Sequence, residues 1–293
     1  MPEGKIVKAL SGFYYVQTTD DLYQCRGRGV FRNKNITPLV GDTVSFDLRE
    51  EKEGYITEVK QRTNELVRPP IANITQAIIV SSAVSPDFST TLLDRFLVLI
   101  EAKGITPTIF ITKIDLLTEE QLIDIRKFQA DYKAIGYKIE MFSTKQPDDL
   151  DRIKAYLKDE VTVIAGQSGV GKSSLINVLS PETSLKTAEI SKSLGRGKHT
   201  TRHVELIEIN GGLVADTPGF SALDFSEIEA DELSYCFPEM RELVDSCKFR
   251  GCLHKKEPKC AVKAAVENGE LPEYRYEHYI SFLEEIQTRK PRY

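Results

Sequence analysis

The sequence predicts a three-part chain: a small all-β barrel, a parallel α/β sheet domain and a helical segment that holds a metal. Three observations carry this. Before residue 68 the chain offers about five short strand-like runs separated by Gly and polar turns, which suits a barrel of the oligonucleotide-binding type. Between 71 and 224, β-branched runs alternate with helical stretches, the pattern of a parallel sheet covered by helices. Beyond Asp224 the pattern is helical, and Cys247, Cys252, His254 and Cys260 fall close together within it. The boundaries so drawn are 1–68, 69–224 and 225–293.

Element by element, the barrel strands are expected at 5–10, 13–18, 43–48 and 55–59, with Arg68-Pro69-Pro70 as a stiff linker. In the middle unit, helices are expected at 91–103 and 119–134. Strands are expected at 108–112, 137–142, 161–165 and 212–215, and a helix covers 174–179. The tail should contain helices at 228–235, 239–244, 261–267 and 274–288.

The middle unit carries the chemistry. Gly166, Gln167, Ser168, Gly169, Val170, Gly171, Lys172 and Ser173 form a phosphate loop between a strand and a helix. Its glycines leave backbone N–H groups free to surround phosphates, Lys172 reaches the terminal phosphates, and Ser173 supplies a magnesium ligand. Ser174 opens the following helix, whose N-terminal dipole favours the anion. Asp216-Thr217-Pro218-Gly219 follows a neighbouring strand: Asp216 is placed to hold magnesium through water, and the Gly219 amide to sense a γ-phosphate.

Base choice falls to Thr112-Lys113-Ile114-Asp115. A carboxylate at Asp115 accepts from the two donors on the Watson–Crick edge of guanine, whereas adenine presents an acceptor there. The stem of Lys113 would cover the base, and Ser143-Thr144 sits where a loop amide would meet guanine O6. This base-reading motif precedes the phosphate loop, the reverse of the usual order, so the domain reads as circularly permuted.

Between the phosphate loop and Asp216, residues 186–202 hold five cations and one acid, with Gly195 and Gly197 for mobility. Thr200 and Thr201 lie where a switch brings a hydroxyl to magnesium. Phe220 stands where Ras-like GTPases place the Gln that orients the attacking water, so His199 is the local candidate for that task.

Two basic patches stand out against a net charge of −5. Arg26, Arg28, Arg32 and Lys34 lie near Tyr23 and Phe31, a pattern that suits either a nucleic-acid face with stacking aromatics or a charged strand edge over core aromatics. Lys248, Arg250, Lys255, Lys256, Lys259 and Lys263 surround the late cluster against Glu257 alone. Its C-x4-C-x-H-x5-C spacing supplies four ligands, the closed set of a structural zinc. Cys25 and Cys236 lack comparable partners and read as buried thiols.

Together these motifs resemble the circularly permuted GTPases of the small ribosomal subunit, the ribosome biogenesis GTPase RsgA family, over essentially all 293 residues. The resemblance rests on T-K-I-D, Ser143-Thr144, the phosphate loop, G-R-G-K-H-T-T at 195–201, D-T-P-G-F and the Cys/His cluster. It implies an α/β P-loop GTPase domain with an N-terminal OB-type barrel and a C-terminal helical zinc-binding domain. It also implies magnesium-dependent GTP hydrolysis stimulated by the small (30S) subunit, contact with 16S rRNA, action late in assembly, and His199 at the water. Thr112 stands where members usually carry Asn, and Thr144 where Ala is common; with Asp115 in place, preference for GTP is expected. Gly169 replaces the Asn of potassium-activated relatives, so no potassium dependence is inferred. Two other classes fit parts of the pattern: a nucleic-acid-binding protein with a structural nucleotide, and a P-loop ATPase or small-molecule kinase.

Composition bounds the rest. A 41% hydrophobic content suffices for packed cores. No apolar run approaches the roughly twenty residues of a membrane span, and the charged start lacks a secretory apolar stretch. Five cysteines, an odd number with three of them clustered, favour metal over a disulfide framework. A cytoplasmic monomer is the expectation.

Overall fold

The computed structural model describes residues 1–27, 31, 36–67, 69–180, 204–218 and 223–289. Five strands close the barrel: β1 (Glu3–Leu10), β2 (Phe13–Gln17), β3 (Leu22–Gly27), β4 (Thr43–Glu50) and β5 (Glu53–Val59). Their order is β1-β2-β3-β5-β4, with β4 returning to β1; only β3 and β5 run parallel. Alternation fills the interior with Ile6, Val16, Cys25, Val44, Phe46 and Ile56, all fully buried.

Where a stiff linker is expected at 68–70, Arg68 lies outside the described residues and Pro69 and Pro70 stand in a turn before β7 (Ile71–Ala72), which pairs with β6 (Glu65–Leu66) in a small ribbon. The ribbon is fastened to the barrel because the Ala72 amide donates to Val40 O at 2.9 Å and Ile71 is fully buried. Burial of Leu66 and Ile71 outweighs the extended preference of the two prolines.

The central sheet has six strands in the order β10-β9-β8-β11-β13-β12. They are β8 (Gln76–Ser82), β9 (Thr106–Thr112), β10 (Lys138–Met141), β11 (Val161–Ala165), β12 (Leu206–Ile209) and β13 (Gly212–Pro218), all parallel except β12. Helices α1 (Thr90–Glu101), α2 (Glu119–Ile135), α3 (Pro147–Lys154) and α4 (Lys172–Leu179) accompany them. Local signals set the ends of α2. Thr118 and Gln121 form a capping box at its start, and Gly136 at φ 107° closes it. The Lys8 ammonium meets Glu205 at 2.9 Å, joining barrel to sheet.

The tail holds α5 (Pro238–Arg241), α6 (Ala261–Glu267) and α7 (Glu273–Thr288). The helix expected at 228–235 is absent: turns lead to a 3-10 turn at Leu233–Cys236. Pro238 holds Phe237 extended at φ −115° and ψ 103°, which ends that turn, and the apolar spacing of Ile228, Leu233, Cys236 and Phe237 is spent on a buried irregular segment. The helix expected at 239–244 shrinks to α5 and a 3-10 turn at Val244–Ser246. Among the described residues, no helix is long and apolar enough to cross a membrane.

Candidate functional site

The phosphate loop springs from β11, whose five residues are all buried. Gly166 adopts φ 138°, and a Cβ there would lie 2.2 Å from Val80 O, so only glycine fits between β8 and the loop. Gly169 at φ 84° and Gly171 at φ 104° complete the turn and start α4. Val170 is the loop's anchor, its side chain buried in the core. Gln167, Ser168, Gly169, Ser173 and Ser174 are left exposed. The Lys172 ammonium arches back to donate to Gly166 O and Gln167 O, each at 2.7 Å. Partial burial lowers its pKa from the ordinary lysine value.

The segment expected to read the base lies directly against this loop. Thr112 ends β9 and is buried; its hydroxyl donates to Val170 O at 2.9 Å. Lys113 sits in the left-handed region at φ 63°, and its ammonium donates to Gly169 O at 3.0 Å and to Ser85 O. Asp115 follows in a 3-10 turn and pairs with the Lys145 ammonium at 2.7 Å. Hydrogen bonds from Lys145 and then Ser143 hold its carboxyl below the usual carboxylate range, so it stays ionised. Ser143 is buried, and its amide donates to Asp149 Oδ2 at 2.9 Å. The Lys145 amide donates to the Ser143 hydroxyl, whereas the Thr144 amide has no partner among the described residues. Lys145 and Asp149 were not singled out from the sequence; Lys145, directly after Ser143-Thr144, was the available signal.

Residues 112–115, 143–144 and 166–173 therefore converge, although they are far apart in sequence. Strand β13 runs parallel to β11 with Pro218 opposite Ile164, which brings the backbone of Asp216 to the same end of the sheet. Gly219, His199, Thr200 and Thr201 lie outside the described residues, as do Arg28, Arg32 and Lys34.

The late cluster is assembled in space. The donor atoms of Cys247, Cys252, His254 and Cys260 all lie within 4.8 Å of one another. A tetrahedral zinc with Zn–S near 2.3 Å requires sulfur atoms about 3.8 Å apart and sulfur–nitrogen pairs about 3.6 Å apart. Cys247 Sγ and Cys260 Sγ are 3.9 Å apart, and His254 Nδ1 lies 3.6 Å and 3.3 Å from them. The donor set fits zinc, with Nδ1 as the ligating nitrogen. Burial pushes the Cys252 thiol up to about 12 and raises that of Cys260, while it keeps His254 neutral. A divalent cation is what would hold such buried sulfurs as thiolates.

Of the two readings open for the barrel's basic patch, the structure favours core aromatics at these two positions. Phe31 is 7% exposed and belongs to the core, and Tyr23 packs on Phe46 with ring centroids 5.2 Å apart, so neither is a stacking surface. Their apolar area is spent inside the barrel. The outward aromatics form a different row: Phe13 on β2 is in register with Arg26 on β3, and Arg26 with Tyr55 on β5. The Arg26 guanidinium lies 4.6 Å from the Phe13 ring centroid, and Tyr55 is exposed. Period-two alternation through the buried Cys25 contained this signal. Around the metal ligands, Lys248, Arg250 and Lys256 are exposed, and Lys255 pairs with Glu284 at 2.8 Å.

Comparison with known proteins agrees with this arrangement. The family model described as RsgA GTPase matches residues 59–226, and that of the RsgA N-terminal domain matches residues 3–56. The small ribosomal subunit biogenesis GTPase RsgA 2 of Oceanobacillus iheyensis is 66% identical over 293 residues, covering all of both chains. The small ribosomal subunit biogenesis GTPase RsgA of Bacillus subtilis is 61% identical over 298 residues, again covering all of both. The crystal structure of YloQ, described as a circularly permuted GTPase, superposes with a TM-score of 0.88 at 56% identity, covering 100% of this chain and 97% of that one. YjeQ from Thermotoga maritima gives 0.87 at 36% identity, with 98% and 99% covered. Two family models that together span most of the barrel and the α/β unit, and full-length relatives above 60% identity, agree with the order of motifs described here: the chain belongs to the RsgA family of circularly permuted GTPases.

Proposed function

We propose that the chain hydrolyses GTP to govern its stay on the small (30S) ribosomal subunit late in that subunit's assembly. The observation that carries this is the full-length match to small ribosomal subunit biogenesis GTPases, in a chain whose guanine-reading segment is pinned to its phosphate loop through Thr112 and Lys113.

In the pocket, the Asp115 carboxylate accepts from guanine, the Thr144 amide meets its O6, and the Lys113 stem covers the ring. The loop amides from Gly166 to Ser174, with Lys172, hold the phosphates. When bound, magnesium neutralises charge on the β- and γ-phosphates, and Ser173, Thr201 and Asp216 would hold it, with Thr200 as the neighbouring switch hydroxyl. Gly219 senses the γ-phosphate, and His199 orients the attacking water. Lys172 exchanges its carbonyl partners for phosphate oxygens.

One structural zinc would sit on Cys247, Cys252, His254 and Cys260. The barrel (1–68), through Arg26, Arg28, Arg32 and Lys34, and the zinc-binding segment (225–293), through Lys248, Arg250, Lys255 and Lys256, flank the GTPase unit (69–224) as arms for 16S rRNA. The row of half-buried Phe13 with exposed Arg26 and Tyr55 supports the barrel assignment. The GTP form, with its switches ordered, binds the subunit, and hydrolysis releases it. The protein acts in the cytoplasm as a monomer.

Phosphate release from GTP and from ATP, each with and without purified small subunits, tests this. GTP turnover alone should rise strongly with the subunit. His199→Ala should bind GTP as before and lose turnover. No stimulation would overturn the ribosomal reading, and unchanged turnover in His199→Ala would remove that residue from the water.

A further inference from the structure

The zinc-binding segment holds a ring that stands partly out of the fold. Phe249 is 43% exposed between two exposed cations, Lys248 and Arg250, and it falls between the metal ligands Cys247 and Cys252. The ring stands on a short loop bounded by two of the four Cys3His positions, so it is set apart from the other exposed apolar side chains by its basic neighbours. Lys248 Nζ stands 5.4 Å from its ring centroid, so cation and π-face are presented together.

The local charge says what kind of partner. Glu257 is the one acid among residues 246–263, and it faces inward. Its carboxylate accepts from the amides of Leu253 at 3.0 Å and of Lys255 and Lys256 at 2.9 Å each. Within 246–263 six cations therefore stand with that one carboxylate turned to backbone amides; Lys255 pairs with Glu284 on α7, and exposed Asp245 lies just before the stretch. The Lys248 amide donates to Lys259 O at 3.3 Å, which ties the backbone of the exposed ring's neighbour to that of a further basic residue.

We infer that Phe249 stacks on an unpaired RNA base while Lys248 and Arg250 hold the flanking phosphates, so this loop selects single-stranded or bulged RNA over duplex. The inference rests on the RNA-contacting role proposed above for Lys248 and Arg250, and adds to it the class of RNA. Duplex bases keep their π-faces stacked on one another; only an unpaired base offers one to the ring. Phosphate contacts alone would not separate the two forms.

The test uses the full-length, zinc-loaded protein and fluorescence anisotropy with two probes: a short mixed-sequence single-stranded RNA and a hairpin duplex of the same composition. Phe249→Ala should weaken single-strand binding by about 5- to 150-fold, leave duplex binding alone and keep the salt slope. Phe249→Trp should retain the preference. Lys248→Gln with Arg250→Gln should lower both affinities and flatten the salt slope. Zinc content and GTP turnover without ribosomes should stay constant in both Phe249 variants, because the ring is exposed. Equal single-strand binding by Phe249→Ala and the unaltered protein, or equal losses on both probes, would overturn the inference. Weaker binding of Phe249→Ala to small subunits with unchanged single-strand binding would overturn it in favour of a protein contact. Failure of the unaltered protein to bind either RNA would instead bring down the RNA-contacting reading on which it rests.

Discussion

Charged side chains gather at two places on the GTPase unit, and they are paired in opposite ways. At the nucleotide edge, Lys172 and Lys113 donate to main-chain carbonyls, and Asp115 pairs with a Lys145 side chain that is 73% exposed. At the junction with the tail, Arg275 of α7 is fully buried and meets Asp94 of α1 at 2.5 Å and Glu239 of α5 at 2.7 Å. Tyr132 of α2 donates to Asp94 at 2.6 Å, and His278 lies 2.6 Å from the other oxygen. Burial works against the Arg275 charge, but Asp94 and Glu239 more than offset it and its pKa is raised. Partners at the first place are replaceable by a ligand, whereas those at the second are replaceable by nothing. The former suits exchange, and the latter suits a fixed joint between the GTPase unit and the tail that carries the Cys3His cluster.

Breaking the joint should have the largest effect. Arg275→Met leaves Asp94 and Glu239 buried beside an apolar chain, which costs about 3–5 kcal/mol and should lower the thermal midpoint by roughly 6–20 °C in calorimetry. Lys172→Ala should leave the midpoint in place. Equal midpoints for the two variants would erase the contrast between the regions.

Asp115→Asn comes next, because it replaces one acceptor carboxylate with an amide and leaves the fold alone. The preference for GTP over ATP should fall by about 10- to 100-fold in competition titrations. The sign of the pH dependence follows from the lowered pKa. What the charge contributes is present above the unfolded carboxylate value, about 4, and is lost only as pH falls through the lower folded value. The preference should therefore be flat from about pH 8 to about pH 5, and a decline inside that window would show the carboxylate to be less supported than Lys145 and Ser143 make it.

The same contrast explains what the sequence could reveal. Backbone-determined features announce themselves locally. The phosphate loop needs glycine at 166, 169 and 171 for positive φ, and the capping box at Thr118 and Gln121 fixes the start of α2. The Cys3His set was legible because ligands are few and their spacing is short. Tertiary decisions were not legible. Nothing near Arg275 says that a carboxylate 181 positions away will be its partner. Phe31 and Tyr23 have the composition of a stacking face, and burial sent them inside. The region 228–237 has helical apolar spacing, and Pro238 with a crowded core turned it into a buried loop.

The smallest effect lies where the two kinds of pairing meet. Thr112 is a buried residue of the nucleotide edge, and its hydroxyl makes a bond to Val170 O at 2.9 Å that no ligand replaces. Thr112→Val keeps the shape and the β-branch but leaves that carbonyl without its buried donor, a loss of about 1 kcal/mol. The loss falls on the register between base loop and phosphate loop, so it should appear as roughly fivefold weaker binding of a fluorescent GTP analogue. The thermal midpoint should barely move, because the strand beneath is held by its ladder to β8. Thr112→Asn should bind as tightly as the unaltered protein, since an amide can also donate across the same gap. If Thr112→Val bound GTP unchanged, the pocket's register would be set by Lys113 and Gly169 alone, and the nucleotide edge would contain no fixed joint of its own.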